Sequence, residues 1–339
     1  MAITFMRNPV VAPQYAIFGK LPRRGDFVRV NASHPVAIEF DQLLAASLSW
    51  ASEQPGWQDR YLAAEASEFF YVSADRRWVF FGVLQPSRDE AGRCYPLVAG
   101  AIVPFDQGAQ NLSLLVLANE LFFAGLRDQL ASAVENSVEM LACRQFLEAQ
   151  LALNGRAGAD LDLAGQVLER HLRQTSAREL DDRLAASGSG ASLEATLLAF
   201  AFHGDFVRRY DGSAPRQAML LPLPDGPGEE TLGLATWLTL YQAATRDHVG
   251  LDPHYLTVSL QGRRYLAISP SRFTDRLMSL LWGLPPAPLS VLDAGDAEAP
   301  WSKHQSYAEA AYILGRQLAD PTLKLDSLRN IVSNLTCKF

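Results

Sequence analysis

Cysteine is scarce and positive charge is outnumbered in this 339-residue sequence, and each shortage excludes a class of protein. The three cysteines lie far apart, so they supply neither a disulfide framework nor a paired zinc-binding motif. The net charge of −7 argues against nucleic-acid binding, which needs a basic surface facing the phosphates. These absences favour a protein of a reducing compartment that binds no nucleic acid.

Long apolar runs are also missing. The most apolar segment, residues 112–126, is interrupted by Ser113, Asn119 and Glu120. It is shorter than the roughly 20 apolar residues that a membrane-spanning helix needs. The first residues lack the basic start and apolar stretch of a signal peptide. We therefore expect a cytoplasmic protein with no direct membrane insertion.

The apolar pattern of the first hundred residues predicts antiparallel strands covered by a helix. Aromatic and β-branched residues cluster in short runs between turn-forming residues, and one segment has helical spacing. The predicted elements are a strand over 15–18, a helix over 35–52, and strands over 68–72, 77–84 and 96–103. The regular strand–helix alternation of a doubly wound parallel fold is absent.

The rest of the sequence predicts a helical region and then a second α/β portion. Helices are predicted over 112–130, 138–153, 161–184, 231–244, 273–282, 307–318 and 323–335, and strands over 217–221, 255–260 and 263–268. We divide the chain into residues 1–135, a helical connector 136–190, and a C-terminal portion 191–339. The Ser187–Gly190 run is a candidate linker or mobile loop.

One five-residue string occurs twice, as GDFVR at 25–29 and again at 204–208. A true duplication would repeat the flanking strands and helices as well. The first copy follows a strand and Pro22, whereas the second follows an apolar stretch of helical character. We therefore favour coincidence.

Motifs for catalysis and cofactor binding are missing. Leu21 stands where a phosphate-binding loop needs Ser or Thr, and no dinucleotide-binding, nucleophile-elbow or HExxH pattern is present. His248 and His254, with Asp247 and Asp252 nearby, indicate a polar turn rather than a metal site. We expect no metal, no cofactor and no enzymatic activity. A hydrolase whose residues are assembled only in space is the alternative.

Two segments predict shaped loops. Residues 19–29 read GKLPRRGDFVR, and residues 82–97 read GVLQPSRDEAGRCYPL. Glycines give backbone freedom at both ends of the first loop, and Pro22 fixes φ between them. Phe27 and Val28 are expected to be buried and to anchor the first loop. Asp26 is expected to accept backbone amides or to pair with Arg24 or Arg93.

These two segments resemble motifs of the TagF (ImpM) family. The first is similar to the family's GKLPxxGDFVxR motif, and the second to its GVLxPSxDxxGRxFPL stretch, with Tyr95 in place of the usual Phe. Residues 57–62, between them, resemble the family's WxxxYL element. The resemblance covers residues 14–105. The sequence departs from the family near Phe40, where the family carries a tryptophan before the aspartate, and after Leu62, where the expected Pro and Trp are missing.

The resemblance implies a fold and a function. The fold is an α/β/α sandwich, and the function is negative, post-translational regulation of type VI secretion through binding of a forkhead-associated (FHA) scaffold protein. A secretion-assembly adaptor that does not inhibit is a further alternative. The family motif positions are Gly19, Leu21, Pro22, Gly25, Asp26, Phe27, Pro86, Ser87, Asp89, Gly92 and Arg93.

A basic rim is the candidate partner-binding surface. It comprises Lys20, Arg23, Arg24 and Arg29, which we expect to meet an acidic or phosphorylated surface. The opposing interpretation is that the motif residues only hold the two loops in shape. The sequence leaves both open.

Overall fold

A computed structural model describes residues 14–108, 112–136, 140–153, 157–186, 192–209, 217–224, 226, 228–245, 252–287, 290–294, 299 and 301–335. The strands in this part of the chain are β1 (Gln14–Gly19), β2 (Val28–Val30), β3 (Ser67–Val72), β4 (Trp78–Gln85), β5 (Leu97–Pro104), β6 (Met219–Pro222), β7 (His254–Leu260) and β8 (Arg263–Ser269). The predicted segment 187–190 and the turn at His248 lie outside the described residues.

The helices are α1 (Pro35–Ser52), α2 (Trp57–Ala63), α3 (Phe105–Gly108), α4 (Leu112–Ala118), α5 (Glu120–Asn136), α6 (Leu141–Leu153), α7 (Ala157–Gln174), α8 (Ala177–Ala186), α9 (Leu193–Arg209), α10 (Glu229–Thr245), α11 (Asp275–Met278), α12 (Gln305–Leu318) and α13 (Leu325–Ser333). A 3-10 helix, Ser279–Trp282, directly follows α11. None of the described helices is long and apolar enough to cross a membrane.

All eight described strands belong to one sheet with the order β2-β1-β5-β4-β3-β7-β8-β6. Every neighbouring pair is antiparallel. The predicted α/β fold with a mainly antiparallel sheet is therefore confirmed. The C-terminal strands extend the N-terminal sheet through the β3–β7 pair instead of forming a sheet of their own. The division of the chain into residues 1–135, 136–190 and 191–339 stays a prediction.

Helices cover both faces of the sheet. One face is covered by α1, α11 and the 3-10 helix, and Phe40 of α1 stacks on Phe69 of β3 with 4.4 Å between ring centroids. On the other face α5 and α10 lie over a second apolar cluster that includes Phe70 and Phe81. Successive residues of a strand point to opposite faces, so all six residues of β3 are buried. This two-sided burial explains why the strands read as continuous apolar runs.

The helix predicted over 161–184 is two helices, α7 and α8. The break occurs at Ser176, which begins α8 with a reciprocal cap. Its hydroxyl accepts from the Glu179 amide at 3.2 Å, and the Glu179 carboxylate accepts from the Ser176 amide at 3.1 Å. This capping box, Ser-x-x-Glu, satisfies two amides that a new helix leaves unpaired. Apolar residues keep a helical spacing on both sides of Ser176, so the sequence pattern does not reveal the break between the two helices.

The two GDFVR copies have different structures. The first copy spans the loop before β2 and most of β2 itself, whereas the second lies inside α9. In the second copy Asp205 pairs with Arg209 one turn later, at 2.8 Å. The recurrence is not a structural duplication.

The β3–β7 pair joins the N-terminal strands of the sheet to its C-terminal strands, and side-chain hydrogen bonds add to this pairing. The paired positions are Phe69 with Leu256 and Phe70 with Tyr255. Beyond them the Glu68 amide donates to the Thr257 hydroxyl at 2.8 Å.

Arg264 continues this junction on the same side. Its guanidinium donates to the Ala66 carbonyl at 3.0 Å, the Thr257 hydroxyl at 3.1 Å and the Glu230 carboxylate at 3.0 Å. Polar side chains thus complete the pairing where the backbone ladder ends.

Glu68 is a buried acid at this junction. Its carboxylate pairs with Arg127 of α5 at 2.9 Å. Burial raises the pKa of Glu68 from its ordinary value of 4.5 to about 7, and the Arg127 charge opposes part of that rise. The folded protein therefore binds a proton at this carboxyl more tightly than the unfolded chain does.

Glu68→Gln tests this linkage. Between about pH 4.5 and 7 the unfolded chain releases the Glu68 proton while the folded protein keeps it, so wild-type stability falls by about 3 kcal/mol as pH rises. The variant should lack most of this fall, which urea unfolding at pH 5 and pH 8 measures. Glu65→Gln, at an exposed neighbour, is the control. An equal fall in wild type and Glu68→Gln would contradict the assignment.

Candidate functional site

The two motif segments form neighbouring loops at one end of the sheet. The first loop, residues 20–27, joins β1 to β2, and the second loop, residues 86–96, joins β4 to β5. They lie side by side because β5 pairs with both β1 and β4. At Gly19 the φ angle is 135°, and a Cβ there would lie 2.0 Å from the Pro96 carbonyl oxygen. Only glycine fits this close approach between the loops.

A buried ion pair connects the loops. Lys20 Nζ lies 3.0 Å from Asp89 Oδ2, and the two side chains are 9% and 0% exposed. Arg93 donates to the same carboxylate twice, from Nε to Oδ2 at 2.7 Å and from its amide to Oδ1 at 2.9 Å. Both carboxylate oxygens therefore have charge-assisted or backbone donors, which burial of a charge requires.

These donors control the ionisation of Asp89. Burial alone would raise the pKa of this carboxyl. The hydrogen bond and charge of Lys20, together with the two Arg93 donors, outweigh burial and hold the pKa of Asp89 well below its usual range. Asp89 is consequently a permanent anion at neutral pH, inside the two loops.

The hydroxyl of Tyr61, on α2, holds the second loop by hydrogen bonds to its backbone. This hydroxyl donates to the Ser87 carbonyl at 2.9 Å and accepts from the Ser87 amide at 3.0 Å. The Ser87 hydroxyl in turn donates to the Lys20 carbonyl at 2.8 Å. Tyr61 and Ser87 are both buried. The Tyr61 hydroxyl thus bonds both backbone groups of Ser87, and the Ser87 carbonyl also accepts from the Tyr95 amide at 3.0 Å.

Further bonds cross between the loop tips. Arg93 Nη2 donates to the Gly25 carbonyl at 3.1 Å, and the Glu90 amide donates to the Arg24 carbonyl at 3.2 Å. Gly92 turns the second loop at a φ of 80°. The loops are held together from their buried base to their exposed tips.

Phe27 and three arginines form the exposed side of the loops, which we call the basic surface (Arg23, Arg24, Phe27 and Arg29). Phe27 is 40% exposed and meets Tyr95 edge-on, with 4.9 Å between ring centroids. The Arg29 guanidinium lies 5.5 Å from the Phe27 centroid and 3.6 Å from the Asp41 carboxylate. Arg23 and Arg24 are exposed, and within the described chain neither side chain has an ion-pair partner.

The structure separates the four basic residues of the predicted rim. Arg23, Arg24 and Arg29 are exposed, whereas Lys20 is buried against Asp89. Lys20 therefore stabilises the loops from inside, and its charge is already neutralised. Among the other motif positions, Leu21, Pro86 and Ser87 are buried, Pro22 is half-buried, and Gly25, Asp26 and Gly92 are exposed.

Two expectations about the first loop are wrong. Phe27 is not a buried anchor, whereas Val28 is buried as predicted and Leu21 is buried with it. Asp26 pairs with neither Arg24 nor Arg93, since Arg93 is engaged by Asp89 and the Gly25 carbonyl. No bond of Asp26 to another described residue is present.

Sequence reasoning missed Tyr61 as a site residue. The available signal was the WxxxYL element, which places a tyrosine between the two motifs. In the described residues, no three His, Cys, Asp or Glu side chains are grouped to hold a metal ion.

Asp89→Asn tests the ion pair. Because the Asp89 pKa is held low in the folded protein, its stabilisation is present above about pH 4, the unfolded value, and is lost as pH falls towards the folded value. The variant should melt at a lower temperature than wild type at pH 7, with a smaller difference at pH 3. Thermal unfolding followed by circular dichroism measures both. Glu90→Gln, at the exposed neighbour, is the control, and equal melting of all three proteins at pH 7 would refute the role.

Comparison with known proteins places this region in a family. Residues 16–150, which contain both loops and Tyr61, match the model described as TagF N-terminal domain, Type VI secretion system-associated. Among solved structures, PA0076 from Pseudomonas aeruginosa PAO1 is similar at 27% identity and a TM-score of 0.34, over 40% of this chain and 60% of that one. No protein with a curated description matches. Residues 16–150 of this chain are therefore similar to the N-terminal domain of TagF proteins, which are associated with type VI secretion.

Proposed function

We propose that this protein is a negative, post-translational regulator of type VI secretion that binds an FHA-domain scaffold component of the system. The family assignment supports the secretion context. The observation that carries the proposal is the basic surface, in which Arg23 and Arg24 are exposed and have no ion-pair partner among the described residues, on a loop that the buried Lys20–Asp89 pair holds from inside. The protein acts by occupying the scaffold in the cytoplasm, and not as an enzyme.

Charge supports this use of the basic surface. The chain as a whole is acidic, with a net charge of −7. Buried charge in the loops is neutralised internally, because Asp89 pairs with Lys20 and Arg93. The exposed guanidinium groups of Arg23 and Arg24 are left to attract an acidic or phosphorylated partner surface. Phe27, which is 40% exposed and lies beside Arg29, offers an apolar contact.

The internal bonds of the two loops also support a binding role for the basic surface. Binding normally costs the ordering of loops and side chains at the interface. Here the ion pair, the Tyr61 hydroxyl and the crossing backbone bonds have already ordered both loops in the free protein. The partner is therefore offered a preformed surface.

A double charge reversal, Arg23→Glu with Arg24→Glu, tests the surface. We expect affinity for the purified FHA scaffold to fall at least tenfold, on the order of 1 kcal/mol or more, since two attractions become repulsions. Isothermal titration calorimetry at low and high salt measures it. The matched control is Arg170→Glu with Arg178→Glu, two exposed arginines on α7 and α8. Unchanged affinity in the first variant would remove Arg23 and Arg24 from the interface.

Gene deletion tests whether the protein inhibits secretion. Deleting the gene should raise effector export, because the scaffold is no longer occupied. The wild-type gene should restore low export, and the Arg23→Glu, Arg24→Glu gene should not. Export that falls on deletion would identify a non-inhibitory adaptor and refute the repressor.

A further inference from the structure

A short segment far along the chain lies beneath the motif loops. Helix α11 and the 3-10 helix, residues 275–282, pack against α1 and α2. The backbone after this segment is also close to α2, since a Cβ on Gly283 would lie 3.1 Å from the Arg60 carbonyl oxygen. The sheet face that carries Tyr61 is therefore completed by residues outside the 16–150 region.

Trp282 is the centre of this contact. Its side chain is fully buried, and its indole N–H donates to the Ser47 hydroxyl of α1 at 2.8 Å. Its ring lies against the Tyr61 ring, with 5.3 Å between centroids and 46° between planes. One side chain from the C-terminal part thus bridges both helices of the N-terminal layer.

The contact leads to the loops through buried groups only. Tyr61 holds the amide and carbonyl of Ser87, and the Ser87 hydroxyl holds the Lys20 carbonyl. Lys20 then pairs with Asp89. Each side chain in this series is buried, so water cannot replace a lost bond without opening the loops.

The two hydrogen bonds of the Tyr61 hydroxyl depend on how the tyrosine ring is oriented. Its hydroxyl donates to and accepts from the same residue, which only a narrow range of ring positions allows. Trp282 and Trp57 lie on the Tyr61 ring and limit that range. A smaller residue at 282 would free the ring to tilt away from Ser87.

We infer that Trp282 is a positioning residue for the motif loops, so that the C-terminal part of the chain sets their geometry and their affinity for a partner. The affinity half of this inference rests on the proposed function. The geometric half does not, because it concerns only contacts within the chain.

The test compares two tryptophans. Trp237 matches Trp282 in burial and also donates its indole N–H, to the Pro222 carbonyl at 3.0 Å, but it lies on the opposite face of the sheet. Trp282→Leu should make the Ser87 amide exchange with deuterium roughly tenfold faster, as expected when one local hydrogen bond is lost. Trp237→Leu should leave that amide unchanged. Exchange is followed by NMR at a temperature at which both variants are folded.

Two milder variants cover the event that Trp282→Leu does not fold. Trp282→Phe keeps an aromatic ring on Tyr61, and Tyr61→Phe removes only the hydroxyl. Exchange at Ser87 should rise strongly in Tyr61→Phe and by less in Trp282→Phe. If Ser87 exchange is unchanged in Trp282→Phe and in any folded Trp282→Leu, or changes equally in Trp237→Leu, the positioning role is overturned.

Scaffold binding then separates the two proposals. Trp282→Leu, or Trp282→Phe in its place, should weaken scaffold affinity several-fold relative to the Trp237 variant. Wild-type protein that does not bind, together with faster exchange at Ser87, would refute the proposed function and leave the positioning role intact. If the wild-type protein binds the scaffold and the Trp282 variants change neither Ser87 exchange nor scaffold affinity, the positioning role is refuted and the proposed function stands.

Discussion

The buried ion pair between Lys20 and Asp89 is the interaction on which the site depends. Two charges removed from water are tolerated only while every donor and acceptor around them is engaged. Asp89 meets this condition through Lys20 and through two groups of Arg93. Separating the loops would break the Lys20–Asp89 pair and the Arg93 bond to the Gly25 carbonyl, and these contacts hold the two loops together. The exposed arginines owe their fixed positions to this constraint.

Most of the fold could be predicted from the sequence because period and turn residues are local properties. Seven strands lie within two residues of their predicted bounds, and the Gln261–Gly262 hairpin turn has positive φ at both positions. The eighth, β2, is three residues long and offered too little pattern. The union of all strands in one sheet was not predictable, because the β3–β7 pairing joins residues nearly 190 positions apart in the chain.

The site was predicted in part, and the limit has a physical cause. Motif letters located both loops and the exposed arginines, but burial depends on partners distant in sequence. Lys20 looks like any surface lysine until Asp89 is placed beside it. Phe27 looks like a core residue until Leu21 and Val28 are found to fill the core. Tyr61 and Trp282, from different parts of the chain, meet only in the folded protein.

The junction at β3 also bears on how this chain can be divided. Strand β3 is buried throughout, and β7 pairs with its outer edge at Phe69 and Phe70. A fragment ending after α5 would present that edge, with free backbone donors and acceptors, to other molecules. Unprotected apolar edges of this kind recruit further strands and lead to aggregation. The later strands therefore cover an edge of the N-terminal part of the sheet.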